Sequence, residues 1–257
     1  MNRPLKKILV FGATSAIAQA ALRELVTRGA SVYCVGRDPA RLAAVLADLR
    51  VRAGPKRLVA GQAADLLEIA RHPALFATAN ASLGELDAVL IAHGSLPDQA
   101  RCEASVDQAL AAISVNAMSV VSLLTIAANL FEPRGRGVIA AISSIAGDRG
   151  RRRNYVYGSA KSLVSTFLQG LRLRLEPKGV RVIDIKPGFV RTPMNAHMSR
   201  EGWLWADAAP VGASIARAME RGRGVVYLPW FWRWIMLIVR HIPYWLFRRF
   251  SFSRGRL

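Results

Sequence analysis

Three side chains in this sequence have the types and the spacing to carry out a reaction: Tyr157, Lys161 four residues beyond it, and Ser144 thirteen residues before it. On a helix, residues four apart share one face with their Cβ atoms about 5–6 Å apart, so Tyr157 and Lys161 are expected to project together. A phenol titrates near 10 and is a poor acid or base at neutral pH. A neighbouring ammonium stabilises the phenolate and should pull that value down toward working range. The pair is then able to pass a proton to or from a carbonyl or alcohol oxygen. Ser144 closes the apolar run that starts at Val138, which reads as a buried strand delivering a hydroxyl at its carboxyl end.

Such a group needs a scaffold, and the chain alternates strand-like and helix-like segments throughout. Ile8 to Phe11 reads as a strand buried on both faces, and Ala16 to Arg28 as the helix after it, with Gly12 in the turn between them. Further strands are expected at Ser31–Val35, Arg57–Ala60, Leu86–Ala92, Val180–Ile185 and Gly224–Leu228, and further helices at Arg41–Arg50 and Lys161–Leu175. Ala109 to Leu130 is nearly free of charge, as for a helix buried against the sheet or at a contact between copies of the chain, so a homo-oligomer is an open expectation. The fold class that follows is a single Rossmann-like, doubly wound α/β domain with a parallel seven-stranded sheet.

The Ser-Tyr-x-x-x-Lys set and the glycine-bearing first turn together resemble the short-chain dehydrogenase/reductase family, over nearly the whole chain. The resemblance implies a nicotinamide cofactor and assigns roles. The turn holding Gly12, Thr14, Ser15 and Ile17 takes the place of the family's phosphate-cradling turn, although Ala16 and Ala18 stand where the family has its second and third glycines. Gly36 occupies the usual position of a ribose-binding acid and Arg37 follows it. NADP(H) is therefore favoured, with NAD(H) as the alternative, and Asp38 is a second candidate for the ribose. Asp65 and Leu66 resemble the acid-apolar pair beside the adenine, with a helix N-cap as the other reading of Asp65. His93-Gly94 stands where the family carries Asn-Ala-Gly, so His93 either touches ribose or caps the strand. Pro187, Gly188, Val190 and Thr192 match the run that orients the nicotinamide carboxamide. Asn116 matches the asparagine that holds a water near the lysine, or else it is a satisfied core amide. In this scheme Asn116, Ser144, Tyr157 and Lys161 are catalytic, and Tyr157 and Lys161 also contact the cofactor.

Composition sets the partners. The chain has 257 residues and 36 Lys+Arg against 17 Asp+Glu, a net charge of +19, which calls for an anionic partner. No nucleic-acid motif accompanies the charge, and nucleic acid is not expected. His72, His93, His197 and His241 have no ligand spacing, so no metal is expected. Cys34 and Cys102 read as reduced thiols. The basic N-terminus superficially resembles a secretory signal, but its apolar run is too short, so a cytoplasmic location is expected. Arg149, Arg151, Arg152 and Arg153 crowd the loop before Tyr157 and are candidates to clamp an anionic substrate. A mobile lid is expected at Met194–Ala209, with Trp203 and Trp205 at its rim.

The sequence divides into a cofactor-binding domain over 1–228 and a tail over 229–257. That tail holds four of the six tryptophans, six arginines and no acid. A helix over Trp230–Arg240 would be about 16 Å long, too short for a hydrocarbon layer of about 30 Å, and Pro243 splits the stretch. Aromatics mixed with arginines suit a segment lying in the interface, and the tail is expected to associate peripherally with the inner face of a membrane. A tail packed on a partner subunit is the alternative. Three segments, 150–161, 190–197 and 239–243, narrow the resemblance to the decaprenylphosphoryl-2-keto-pentose reductases. This implies a lipid-linked or phosphorylated substrate, reduction of a keto sugar to the arabinose form, and a partner oxidase that makes the ketone. Reduction of another lipid ketone, or a non-catalytic cofactor-sensing scaffold, are the rival readings.

Overall fold

The computed structural model describes residues 5–196, 201–222 and 224–252. In chain order the elements are β1 (Lys7–Phe11), α1 (Ala16–Thr27), β2 (Ser31–Gly36), α2 (Pro39–Ala53), β3 (Val59–Ala63), α3 (His72–Leu83), β4 (Ala88–Ile91), α4 (Gln99–Ala104), α5 (Val106–Ile113), α6 (Ser119–Phe131), β5 (Gly137–Ile142), α7 (Tyr155–Leu175), β6 (Val180–Pro187), β7 (Phe189–Arg191), β8 (Trp205–Asp207), α8 (Ala208–Arg221), β9 (Val225–Leu228), α9 (Trp232–His241) and α10 (Tyr244–Phe252).

Seven strands form one sheet in the order β3-β2-β1-β4-β5-β6-β9, every neighbour parallel. Strand side chains alternate between faces, and here both faces are covered, which explains the unbroken apolar runs. Ile8 and Val10 pack with Leu22 and Leu25 of α1, Leu46 of α2 and Ile215 of α8. Leu9 and Phe11 pack on the opposite side with Phe76 of α3, Leu124 of α6 and Leu168 of α7. The chain winds outward from β1 in one direction and from β4 in the other. The carboxyl ends of those two strands therefore open a crevice, the usual ligand position in such sheets. Gly12 sits there at φ +76°, and any Cβ on it would run into the backbone of Ala92 and His93 at the end of β4. A glycine is needed to let these two strand ends converge.

Several expected boundaries move, for identifiable reasons. The third strand lies at Val59–Ala63 rather than 57–60, because pairing from Val32↔Val59 to Gly36↔Ala63 sets its register and the apolar run does not. Helix α2 begins earlier, since Asp38 caps it by accepting from the Arg41 amide at 3.0 Å and Pro39 starts it. That contact gives one carboxylate oxygen of Asp38 a structural task. The charge-free stretch is interrupted: Ser114–Met118 forms a π turn between α5 and α6. By length and composition Val106–Arg134 would suffice to cross a membrane, yet Leu123, Leu124 and Phe131 within it lie in the core.

The tail is not separated from the body by packing. Trp232 and Met236 of α9 are buried with Ile145, and Phe189, Tyr227 and Val239 close around them. The division expected at residue 228 thus falls inside a hydrophobic cluster.

Candidate active site

The Tyr-x-x-x-Lys helix and the serine loop meet backbone to backbone. Helix α7 starts at Tyr155, so Tyr157 and Lys161 lie one turn apart on it. Gly147, in the loop after Ser144, would place a Cβ 2.7 Å from the Lys161 carbonyl carbon, and Gly158 would place one 2.8 Å from the Ala146 carbonyl oxygen. Only glycines allow that approach, which seats the Ser144 loop against the turn of α7 that carries Tyr157 and Lys161. The Ser144 hydroxyl oxygen accepts from the Ala146 amide at 3.1 Å, which leaves its proton free to be donated.

Burial pushes the Tyr157 phenol up to about 12, with the Ser144 hydrogen bond pulling the other way. The expectation of an acidified phenol is therefore not met in this state, because lost hydration outweighs the stabilising contact. Lys161 lies over the Tyr157 ring, its Nζ 5.7 Å from the ring centroid, and donates to the Ile142 carbonyl at 3.0 Å. Desolvation brings this amine down to about 8, opposed by the charge of Asp184.

Asn116 is fully buried in the π turn. Its Oδ1 accepts from the Ser95 amide at 3.0 Å and its Nδ2 donates to the Ala112 carbonyl at 2.9 Å. The side-chain amide is thus a satisfied core group that pins the Gly94–Ser95 turn. π turns recur at functional sites because they shift one residue out of the regular ladder. Gly94 packs so closely that a Cβ would lie 2.8 Å from Asn116 Oδ1 and 3.3 Å from Lys161 Nζ. His93 belongs to the same wall. Its Nε2 lies 2.7 Å from Ser119 Oγ, whose hydroxyl donates to the Val115 carbonyl, so Nε2 carries the proton. Burial first and the Lys161 charge second hold His93 at about 3, and its buried Nδ1 has no partner among the described residues.

The residues assigned to a dinucleotide lie at or just beyond the carboxyl ends of β1, β2, β3, β4 and β6. The first turn of α1 follows Ser15, whose side chain makes no cap, so the early amides of the helix have no competing side-chain acceptor. Ala18 is fully buried in the core, which accounts for a methyl where a glycine was expected, and Ile17 packs at the core edge. A Cβ on Gly36 would lie 3.0 Å from the Thr14 methyl, so a side chain at the acid position would crowd the turn. Arg37 is exposed just beyond it. Asp65 accepts from the Leu67 amide at 3.0 Å and Leu66 is buried. The short 3-10 helix that follows begins only at Ile69 with Glu68 at its N-cap, so the helix-cap reading of Asp65 is not what the structure shows. Gly188 follows Pro187 at the end of β6, Val190 is buried in β7, and Thr192 follows. Sequence reasoning missed Asn195, which donates to the Val190 carbonyl at 2.7 Å and accepts from the Thr192 amide at 3.1 Å. The free amides at α1, the glycine-lined wall at Gly94 and the small residue at Gly36 fit a nicotinamide dinucleotide.

Two further findings change the picture around the site. Arg149 Nη1 donates to the carbonyls of Val239 and Ile242 at 2.6 Å each, and its guanidinium lies 4.0 Å from the Phe247 ring centroid. Arg151 contacts Met236 Sδ at 3.3 Å. These two arginines hold the tail and do not form the expected substrate clamp; the exposed end of α9 offers unsatisfied carbonyls that a guanidinium fork fits. The second finding is a buried charge chain behind Ser144. Ser143 Oγ donates to Asp184, Lys186 Nζ lies 3.6 Å from Asp184 and 2.5 Å from Asp148, and the Tyr227 hydroxyl donates to Asp148 at 2.8 Å. It joins the serine loop to the strand that ends in Pro187-Gly188. No sequence spacing announces it, since its members come from three separate segments.

On either side of the segment expected as a lid, β7 and β8 pair in parallel, and Trp205 stacks on Phe189 with ring centroids 5.1 Å apart. Trp203 is exposed and lies 5.5 Å from the Phe231 ring. His197 and the rest of 197–200 lie outside the described residues. Among the described residues no group of His, Cys, Asp and Glu could hold a metal ion.

Residues 6–202 match the profile of the short chain dehydrogenase family. An uncharacterized oxidoreductase of Mycobacterium tuberculosis is 36% identical over 242 residues, covering 94% of this chain and 96% of the relative. One from Streptomyces coelicolor is 33% identical over 247 residues, covering 96% of each. Among solved structures, the short-chain type dehydrogenase/reductase of Mycobacterium ulcerans superposes with a TM-score of 0.76 at 24% identity, over 86% of this chain and 87% of that one. The actinorhodin polyketide ketoreductase with NADPH gives 0.77 at 22% identity, over 89% and 97%.

Proposed function

Because the chain belongs to the short-chain dehydrogenase family, whose fold binds NAD(P)(H), and is an oxidoreductase, we propose that it is an NADPH-preferring ketone reductase working at a membrane surface. The observation that carries the reductase reading is the close seating of the Ser144 loop on the turn of α7 that bears Tyr157 and Lys161, with the amine over the Tyr157 ring.

The nicotinamide supplies the hydride. Tyr157, protonated at neutral pH, gives its phenolic proton to the carbonyl oxygen of the substrate as charge develops there. Ser144 donates its free proton to the same oxygen and holds it in line. Lys161 stabilises the phenolate left behind, and its amine is poised to pass a proton on because its own pKa is near 8. Asn116 keeps the Gly94–Ser95 turn in place beside Lys161, and the widened π turn around it is the position for a relaying water. Amides of the α1 turn would hold the pyrophosphate, and Thr192 and the Val190 backbone would hold the carboxamide, with Asn195 fixing both residues. Arg37, beside a position that has no acid, supports the preference for the 2′-phosphate.

The tail supports the membrane part of the reading. Trp230, Trp234, Leu237, Ile238, Tyr244 and Trp245 are all exposed on α9, α10 and the turn before them, alongside Arg233, Arg240 and Arg248. Helices of ten and nine residues are too short to span a bilayer, so this face is suited to lie in the interface. The substrate proposed is a ketone on a polyprenyl-phosphoryl sugar, its 2-keto-pentose reduced to the arabinose form. A polar reacting end entering beside Ser144 with a lipid left along the aromatic face would use both features. The test is oxidation of NADPH with candidate lipid-linked and soluble ketones. Tyr157→Phe should abolish turnover while NADPH still binds; substantial remaining turnover would sink the assignment.

A further inference from the structure

Away from the crevice, beyond the edge strand β9, a cavity of about 230 Å³ opens between the C-terminal half of α8 and the start of α9. Arg217, Arg221 and Arg233 line it, with Ser214, Tyr227 and Trp230. Arg217 is steadied by donating to Ser214 Oγ at 2.9 Å, and Arg233 lies 5.8 Å from the Trp234 ring centroid. Among the described residues none of the three enters an ion pair. Glu220, the last acid in the sequence, is held by Arg28 at 2.7 Å. Three guanidiniums around one hollow repel each other, and the ligand that relieves this is an anion able to accept several forked hydrogen bonds.

The surroundings select among anions. The hollow opens beside Trp230, which is 72% exposed, and Trp234, Leu237 and Ile238 stand exposed on the adjoining helix α9, with Tyr244 and Trp245 exposed on α10. A free inorganic ion has no use for that rim, whereas a phosphodiester carrying acyl chains does, since tryptophan favours the boundary between headgroups and hydrocarbon. We propose that Arg217, Arg221 and Arg233 form a headgroup site for an anionic phospholipid, with its chains laid against Trp230 and the exposed apolar side chains of α9. The proposal rests on the membrane-surface reading of α9 and α10 and adds a specific site to it, distinct from the catalytic crevice.

The experiment compares the full chain with its Arg217→Gln/Arg221→Gln/Arg233→Gln variant, both checked for equal melting temperature. The first arm titrates dihexanoyl phosphatidylglycerol below its micellar concentration. The wild type should bind it, the variant should bind more than tenfold less tightly, and the corresponding triple lysine variant should recover part of the affinity. The second arm measures co-sedimentation with vesicles of phosphatidylcholine alone and with added phosphatidylglycerol; the variant should lose the preference for the anionic vesicles. Equal binding of the short-chain lipid by wild type and variant, or none by either, overturns the site even if vesicles pellet the protein. Competition by inorganic phosphate as effective as by the lipid overturns the lipid assignment. If the variant alters the mass of the protein in solution with lipid binding unchanged, the hollow is a contact between copies and the proposal falls. Short-chain lipid bound by the wild type and lost in the variant, with no vesicle binding at all, would uphold the site and refute the membrane-surface reading.

Discussion

Replacing Lys186 by methionine removes the central charge of the chain behind Ser144 and leaves Asp148 and Asp184 facing each other in the interior. The amine lies 2.5 Å from Asp148 and 3.6 Å from Asp184, and both carboxylates are almost wholly excluded from solvent. With an effective dielectric constant of about 20 the two attractions amount to roughly 7 and 5 kcal/mol. Much of this offsets the desolvation of the three charges, so the net effect of deleting the partner should be near the ~3–5 kcal/mol typical of a broken buried pair. That is a large share of a domain stability of about 5–15 kcal/mol. Urea unfolding monitored by tryptophan fluorescence would measure it, with an unchanged slope showing that the unfolded reference is the same. The additional change Asp148→Asn should recover part of the loss, giving a coupling of about 1–3 kcal/mol in the double-mutant cycle. If Lys186→Met alone costs less than about 1 kcal/mol, or if the cycle shows no coupling, the chain is not the buried electrostatic unit described here.

Other consequences concern the site and the tail. The folded pKa of Lys161, about 8, lies below its unfolded value of about 10.4, so burial of the ammonium opposes folding below pH 8 and the penalty fades as pH rises from 8 to 10.4. Lys161→Met should therefore be inactive yet up to about 3 kcal/mol more stable than wild type at pH 7, the gap closing by pH 10.5 in thermal or urea unfolding. In the wild type, kcat/KM for ketone reduction should fall as pH rises through about 8, and a flat profile to pH 10 would contradict the role given to this amine. Arg37→Ala should weaken NADPH binding by about tenfold, or ~1.4 kcal/mol, and leave NADH unaffected, as read by quenching of protein fluorescence. Arg149→Gln should free the end of α9, with a loss of about 1–3 kcal/mol and faster proteolysis within 240–252.

Local signals disclosed the scaffold and the pairing of Tyr157 with Lys161. Strands buried on both faces announce themselves as apolar runs, and Tyr157 and Lys161 needed only helical spacing to be paired. What stayed hidden depends on contacts between distant segments. The phenol of Tyr157 is driven upward by a burial that no spacing reveals. Asp38 reads as a ribose ligand in a motif, and only the backbone at Arg41 shows that it also caps a helix. The arginines of the loop before Tyr157 looked like a substrate clamp because the sequence could not show that Arg149 meets the end of α9. Asn195, Lys186 and the π turn at Asn116 were invisible for the same reason: each matters through partners in other elements or through a one-residue change of helical register.

The seating of the Trp232 indole against the bare α-carbon of Gly188 makes the two positions depend on each other. Any side chain on Gly188 would overlap the indole ring. Neither can drift alone: a methyl at 188 evicts the ring, and a smaller residue at 232 opens a void beside the loop that follows β6. Relatives that keep the aromatic residue should keep the glycine, and those that have lost it are where alanine or serine should turn up in the loop.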